Sequence, residues 1–240
     1  MKQFQNMQVG NGAMEPRENK NAHWEDLQTR VISAVALFVL ALLCITLGSV
    51  VFTALIILAA ILLMKEWETL NAGEKPMWYF LGYPYLIIPC ACIVWLRSVH
   101  TAEGIACGFT IILALVAVIS ATDTGAYFVG RRFGRTQLAP AISPKKTWEG
   151  LAGGMMAAVV AGVLFSPYIH VPHSFLSAIF ISLFLAVLAQ IGDLFKSWIK
   201  RRAGVKDSGT LIPGHGGLLD RMDGYMFTAP VLALLVYSAL

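Results

Sequence analysis

The chain has 240 residues, 57% of them hydrophobic and 13% charged, with a net charge of +4 and a mean hydropathy of +0.68. Soluble domains carry roughly 25% charged residues, so the composition excludes a water-soluble globular fold and marks an integral membrane protein. The four cysteines (Cys44, Cys90, Cys92, Cys107) all lie in apolar stretches. They read as small buried hydrophobes, and Cys90-x-Cys92 lacks the further ligands of a zinc or iron–sulfur site.

In chain order, residues 1–29 are polar, with no apolar stretch of the kind a secretory leader needs. They are expected to form a disordered cytoplasmic tail ahead of a membrane domain at 30–240. Val31 to Met64 carries no charge. As one helix it would be about 51 Å long against a hydrocarbon core of roughly 30 Å. Two antiparallel spans, 31–46 and 49–65, turning near Thr46–Gly48, fit better. A polar link, KEWETLNAGEK, leads to a span at 77–96, where Pro84 and Pro89 predict kinks that a bundle tolerates. A fourth span covers about 105–129, and a basic loop runs from Gly130 to Gly150. The fifth, 151–168, opens with Gly153-Gly154, a pair suited to close helix contact. A sixth covers about 174–195, a charged segment fills 197–223, and 224–240 is a short seventh. The expected fold is all-α, a polytopic bundle of about seven transmembrane helices.

Cation placement tests that count. Seven spans put the tail, the 65–75 link, the 130–150 loop and the 196–223 segment on one side. Seventeen of the eighteen Lys and Arg residues then share that side, leaving Arg97 alone on the other. The positive side is expected to be cytoplasmic, with the N-terminus on it.

Residues fit for chemistry collect on the same side. On a continued sixth helix, Asp193, Ser197 and Lys200 or Arg201 fall at i, i+4 and i+7 or i+8 and share a face, with Gln190 three residues before. A carboxylate at membrane depth is by default a functional candidate. Asp220 and Asp223, at i, i+3, project to one side of the last span. They serve either as helix-start acids or, with Asp193, as oxygen ligands for Mg²⁺. Gly216 and Gly217, in PGHGG, let backbone N–H groups approach a phosphate. His215 suits a phosphate contact, acid–base work or a structural turn equally. Asp123 and Tyr127 stand at i, i+4 near the end of span four. Ser143, Lys145 and Lys146 have the make-up of an anion-binding loop, as against an ordinary positive loop with a capping hydroxyl. With Lys206, Asp207 and Arg221 in the charged segment, the cations exceed what one lipid phosphate requires, and the acids suggest a divalent ion among them. A cytosolic polyphosphate reacting with a bilayer-anchored partner accounts for both. Such transfer depends on positioning and charge neutralisation, and an ionised phosphate nucleophile needs no Ser–His pair.

The run from Ser197 through Lys200-Arg201, Lys206-Asp207, Pro213-Gly214-His215-Gly216-Gly217 and Asp220-Arg221-Met222-Asp223 resembles the hallmark of phosphatidate cytidylyltransferases (CDP-diacylglycerol synthases). TRVISA, KEWETL, DTGAYFVGRRFG and SPKKTWEG extend the resemblance over most of the chain from Thr29 onward. The stretch 65–105 is shorter than in many members. The resemblance implies the reaction CTP + phosphatidate → CDP-diacylglycerol + pyrophosphate, with no nucleic-acid partner, in the bacterial inner membrane with the site facing the cytoplasm. It also implies a Mg²⁺ site with Asp193 and Asp220 as ligands, leaving room for a second, monovalent cation, and it is compatible with a homodimer. Lys200, Arg201, Lys206 and Arg221 would hold phosphates, and Ser197 and the Gly-rich loop would supply neutral donors. Placing Asp223, Asp123, Lys145 and Lys146 in the same pocket is our own expectation. An anion transporter would favour midplane charges and internal repeats, and neither is seen. An alcohol phosphatidyltransferase would use a DG…AR…G…D…D pattern, which Asp223-Gly224 begins and nothing continues.

Overall fold

The computed structural model describes residues 20–73, 75–101, 103–171, 174–205, 208–209, 211 and 216–240. Seven helices follow in order: α1 (Lys20–Thr46), α2 (Ser49–Leu70), α3 (Pro76–Arg97), α4 (Gly108–Phe133), α5 (Trp148–Phe165), α6 (Phe175–Arg202) and α7 (Leu219–Ala239). The helical bundle is borne out, and α2 to α7 are each long and apolar enough to cross a membrane. Within α1 the apolar stretch is Val35–Thr46. Large apolar side chains such as Val50, Phe80, Met156 and Phe180 point outward. Lipid is the solvent that tolerates such a surface; this is a multi-pass membrane protein.

Several boundaries move. α1 begins at Lys20, inside the segment expected to be a tail, while residues 1–19 lie outside the described ones. The turn between the first two spans falls where expected, with Gly48 at φ +115°, a conformation that favours glycine. α2 runs on to Leu70 and absorbs KEWETL, because Leu63, Trp67 and Leu70 continue one buried face. α3 stays helical through Pro84 and Pro89. The loop 130–150 is not wholly irregular: β1 (Gln137–Ala139) and β2 (Ser143–Thr147) form an antiparallel hairpin, a small departure from an all-α fold. Thr147 then caps α5, its hydroxyl accepting from the Gly150 amide at 3.1 Å.

Packing explains why the ends of distant helices meet. α4 and α5 touch almost backbone to backbone: a Cβ on Gly153 would lie 2.4 Å from Val129, and one on Gly154 would lie 2.8 Å from the Thr122 carbonyl. The pair expected to allow close contact makes it. α6 meets α7 the same way, since a Cβ on Gly192 would stand 2.3 Å from the Asp223 carbonyl. At the opposite end Arg97, the isolated cation, donates to the Ile45 carbonyl from Nε at 3.2 Å and from Nη2 at 2.8 Å. It thereby satisfies a carbonyl at the end of α1 that no intrahelical donor reaches. At the charged end Arg202 lies over the Trp78 ring at 3.5 Å, tying the end of α6 to α3.

Gly153→Val forces α4 and α5 apart, because the Val129 side chain and the α4 backbone leave no room. A loss of about 1–3 kcal/mol is expected for such overpacking, read as a lowered thermal midpoint of the detergent-solubilised protein. An unchanged midpoint would contradict the packing described.

Candidate active site

The charged ends of α4, α6 and α7 and the β1–β2 hairpin enclose a cavity of about 340 Å³. Its geometry begins with helix spacing on α6. Asp193 and Lys196 stand at i, i+3, and Lys200 follows one turn later on the same face. Asp220 and Asp223 reach the same point from the first turn of α7, which starts at Leu219. The close approach of Gly192 to Asp223 lets carboxylates from two helices share one partner.

That partner is Lys196, 6% exposed. Its Nζ lies 3.0 Å from Asp193 Oδ1 and 3.5 Å from Asp220 Oδ1, and it contacts Asp223 Oδ2. A second ammonium, Lys146 on β2, lies 2.7 Å from Asp193 Oδ2 and donates to the Gln190 carbonyl at 3.4 Å. A third, Lys200, donates to Asp220 Oδ1 at 2.6 Å. The far oxygen of Asp220 accepts from the amide and hydroxyl of Ser208, each at 3.0 Å. Asp223 Oδ1 accepts from the Gly224 amide at 2.7 Å. Charges this deeply placed persist only when paired and hydrogen-bonded. Each of the three aspartates is so provided.

Asp123, Tyr127, Ser143 and Lys145 also line the cavity, so the structure brings residues of both constellations around one space. The Tyr127 hydroxyl accepts from Arg131 Nη1 at 2.8 Å. The hairpin is held against α5 by Glu149, whose carboxylate accepts from the Thr136 amide at 3.3 Å. Other expected residues fall elsewhere. Ser197 and Lys200 are absent from the cavity lining, Lys200 being joined to it through Asp220. Arg201 is exposed and donates to the Ile142 carbonyl at 3.4 Å, bracing the hairpin rather than entering the cavity. Arg221 is exposed on α7, outside the lining. Gly217 packs against Ser208 and Glu66, and Gly216 takes φ +82°; both belong to the turn before α7. Lys206, Asp207 and His215 lie outside the described residues.

Two participants escaped the sequence reading as site residues. Lys196 counted only as one more cation of the segment, although its i, i+3 spacing from Asp193 was a usable signal. Glu66 stood only as one residue of KEWETL, with nothing local to mark its partners at 208 and 218–219. As for a metal, Asp193, Asp220 and Asp223 offer only hard oxygen donors and converge on one cation, which is the chemistry Mg²⁺ takes. Here lysine ammonium groups neutralise them, and among the described residues no three acids, histidines or cysteines stand at metal-ligand spacing.

Residues 74–239 match the sequence profile of the cytidylyltransferase family. A phosphatidate cytidylyltransferase of Brucella suis biovar 1 (strain 1330) is 35% identical, over 87% of this chain and 93% of that protein. One from Rickettsia typhi (strain ATCC VR-144 / Wilmington) is 36% identical, over 86% of this chain and 90% of its own. One from Bacillus subtilis (strain 168) is 46% identical, over 54% of this chain and 48% of its own. A family profile spanning most of the membrane bundle, and two relatives aligned over most of both chains, agree with a cavity of paired lysines and aspartates: the chain belongs to the cytidylyltransferase family.

Proposed function

We propose that this protein transfers CMP from CTP to phosphatidate, giving CDP-diacylglycerol and pyrophosphate. The observation that supports it most is the convergence of Asp193, Asp220 and Asp223 on Lys196 beside Lys145 and Lys146, at the end of membrane-length helices. A cavity so placed reaches a lipid phosphate and a water-soluble nucleotide from the same end. A phosphatidate phosphate oxygen bonds to the α-phosphorus of CTP, the bond from that phosphorus to the bridging oxygen breaks, and pyrophosphate leaves with the electron pair. Lys145, Lys146 and Lys200 supply the positive charge that permits two anions to approach; Asp193 keeps the Lys146 ammonium oriented, and Asp220 that of Lys200. Asp193 and Asp220 would hold Mg²⁺, which when bound neutralises phosphate charge and steadies the leaving group. The site faces the cytoplasm, the N-terminus lies on the same side, and the membrane is the bacterial inner membrane; the cation asymmetry of the loops supports this orientation.

The purified protein with labelled CTP, phosphatidate micelles and Mg²⁺ should convert label to a lipid-soluble form and release pyrophosphate. Neither product appearing would defeat the proposal. Asp193→Asn, Asp220→Asn and Lys146→Ala should each lower turnover by roughly 100-fold or more, the scale on which preorganised charge acts. Arg201→Ala, which loosens the hairpin without entering the cavity, should cost only about tenfold. Equal losses in all four would mean that the cavity geometry does not govern the rate. A reporter fused after Leu240 should register outside the cytoplasm, and cytoplasmic signal there would overturn the orientation.

A further inference from the structure

Glu66 is a carboxylate at 8% exposure in the last turn of α2, a helix that contributes nothing to the cavity lining. It lies in place because the neighbouring Trp67 is buried, its indole donating to the Trp78 carbonyl at 3.0 Å. Glu66 Oε1 accepts from the Leu218 amide at 2.7 Å, and Oε2 accepts from the Leu219 amide at 2.8 Å. These are donors at the start of α7, which no intrahelical carbonyl can serve. A local cap would come from the residue before the helix, but that residue is Leu218, which has no capping side chain. Glu66 takes that role from 152 residues away.

The same carboxylate holds the other side of the turn. Ser208 Oγ stands 3.5 Å from Glu66 Oε2 and 3.0 Å from Asp220 Oδ2, and the Ser208 amide also donates to Asp220 Oδ2. A Cβ on Gly217 would lie 2.7 Å from Glu66 Oε2, and one on Gly209 would lie 3.1 Å from Oε1, so both backbones press directly on it. One side chain thus fixes the register of α7's first turn and the seat of Ser208. Together these leave Asp220 Oδ1 turned toward Lys200 and Lys196.

We infer that Glu66 is a positioning residue for the transfer reaction: it caps α7 and, through Ser208, sets which oxygen of Asp220 faces the cavity. This rests on the function proposed above. Glu66 lies outside the span that the family profile matches. Its chemistry suits the task, since a carboxylate only accepts and its neighbours here are donors. Glu66→Gln keeps the shape but turns one accepting oxygen into a donor facing an amide.

The test compares wild type, Glu66→Gln, Glu66→Asp and Ser208→Ala as purified full-length protein, by steady-state kinetics with CTP and by amide hydrogen exchange. For Glu66→Gln, kcat should fall roughly 10- to 100-fold, the range for partners that orient first-contact groups, while the KM for CTP shifts less than about threefold. Exchange should quicken at the amides of 216–222 and remain as in wild type across α4 and α5, which a general loss of stability would not produce. Glu66→Asp, which keeps an acceptor, should recover part of kcat, and Ser208→Ala should reproduce the kcat loss in milder form. A folded Glu66→Gln with wild-type kcat and wild-type exchange at 216–222 overturns the inference. If Glu66→Gln does not fold, Ser208→Ala decides, and wild-type kinetics there overturn it equally. An inactive wild type defeats the proposed reaction instead, while the exchange comparison still reports on the cap.

Discussion

The arrangement depends on one buried ammonium. Lys196 stands where α6 and α7 come closest and gathers aspartates from both helices. Taking so many charges out of water is costly, and the arrangement persists only because each has a partner and further donors. Removing the lysine would strip Asp223 of its ammonium partner in a poorly solvated place, while Asp193 keeps Lys146 and Asp220 keeps Lys200. Removing one aspartate leaves Lys196 still paired. The cluster is therefore asymmetric in its dependence on its members.

Around that point the bundle supplies closeness rather than chemistry. Glycines at the α4–α5 and α6–α7 contacts bring backbones together, as is usual where no hydrophobic drive separates helix from lipid. The β1–β2 hairpin brings Lys146 over the cluster, and Thr147 and Glu149 pin that hairpin to the start of α5. Aromatic contacts, Arg202 over Trp78 and Trp78 beside Trp198, set α3 against the end of α6. These contacts tie the hairpin, α3, α5 and α6 together at the polar end, while the opposite end closes with Arg97 on the α1 terminus.

The cavity's charge pattern also bears on selectivity. Lys145, Lys146 and Lys196 face Asp123, Asp193, Asp220 and Asp223 across one space. Alternating signs of this kind would suit a polyanion held with a cation, as the proposed reaction requires, because each neutralises charge that the other would leave exposed. Tyr127, largely exposed and edge-on to the Phe128 ring, stands at the cavity rim, an aromatic suited to the membrane–water boundary.

Much of this was legible in the chain alone. Hydropathy and the seventeen-to-one cation split yielded the helical bundle and its two unlike ends, because a bilayer imposes length and charge rules locally. Helical spacing put Asp193 with Lys200 and Asp220 with Asp223, since i, i+3 and i, i+7 relations hold on any helix. Only the folded structure decided that Lys196 rather than Ser197 faces Asp193. It also decided that Arg201 braces the hairpin from outside, and that Glu66 caps a helix 152 residues away. Those outcomes depend on how the helices rotate and approach one another. That rotation is set by glycine contacts and buried ion pairs between helices; Gly153-Gly154 marked one such contact, but no local pattern says which residues a second helix brings against it.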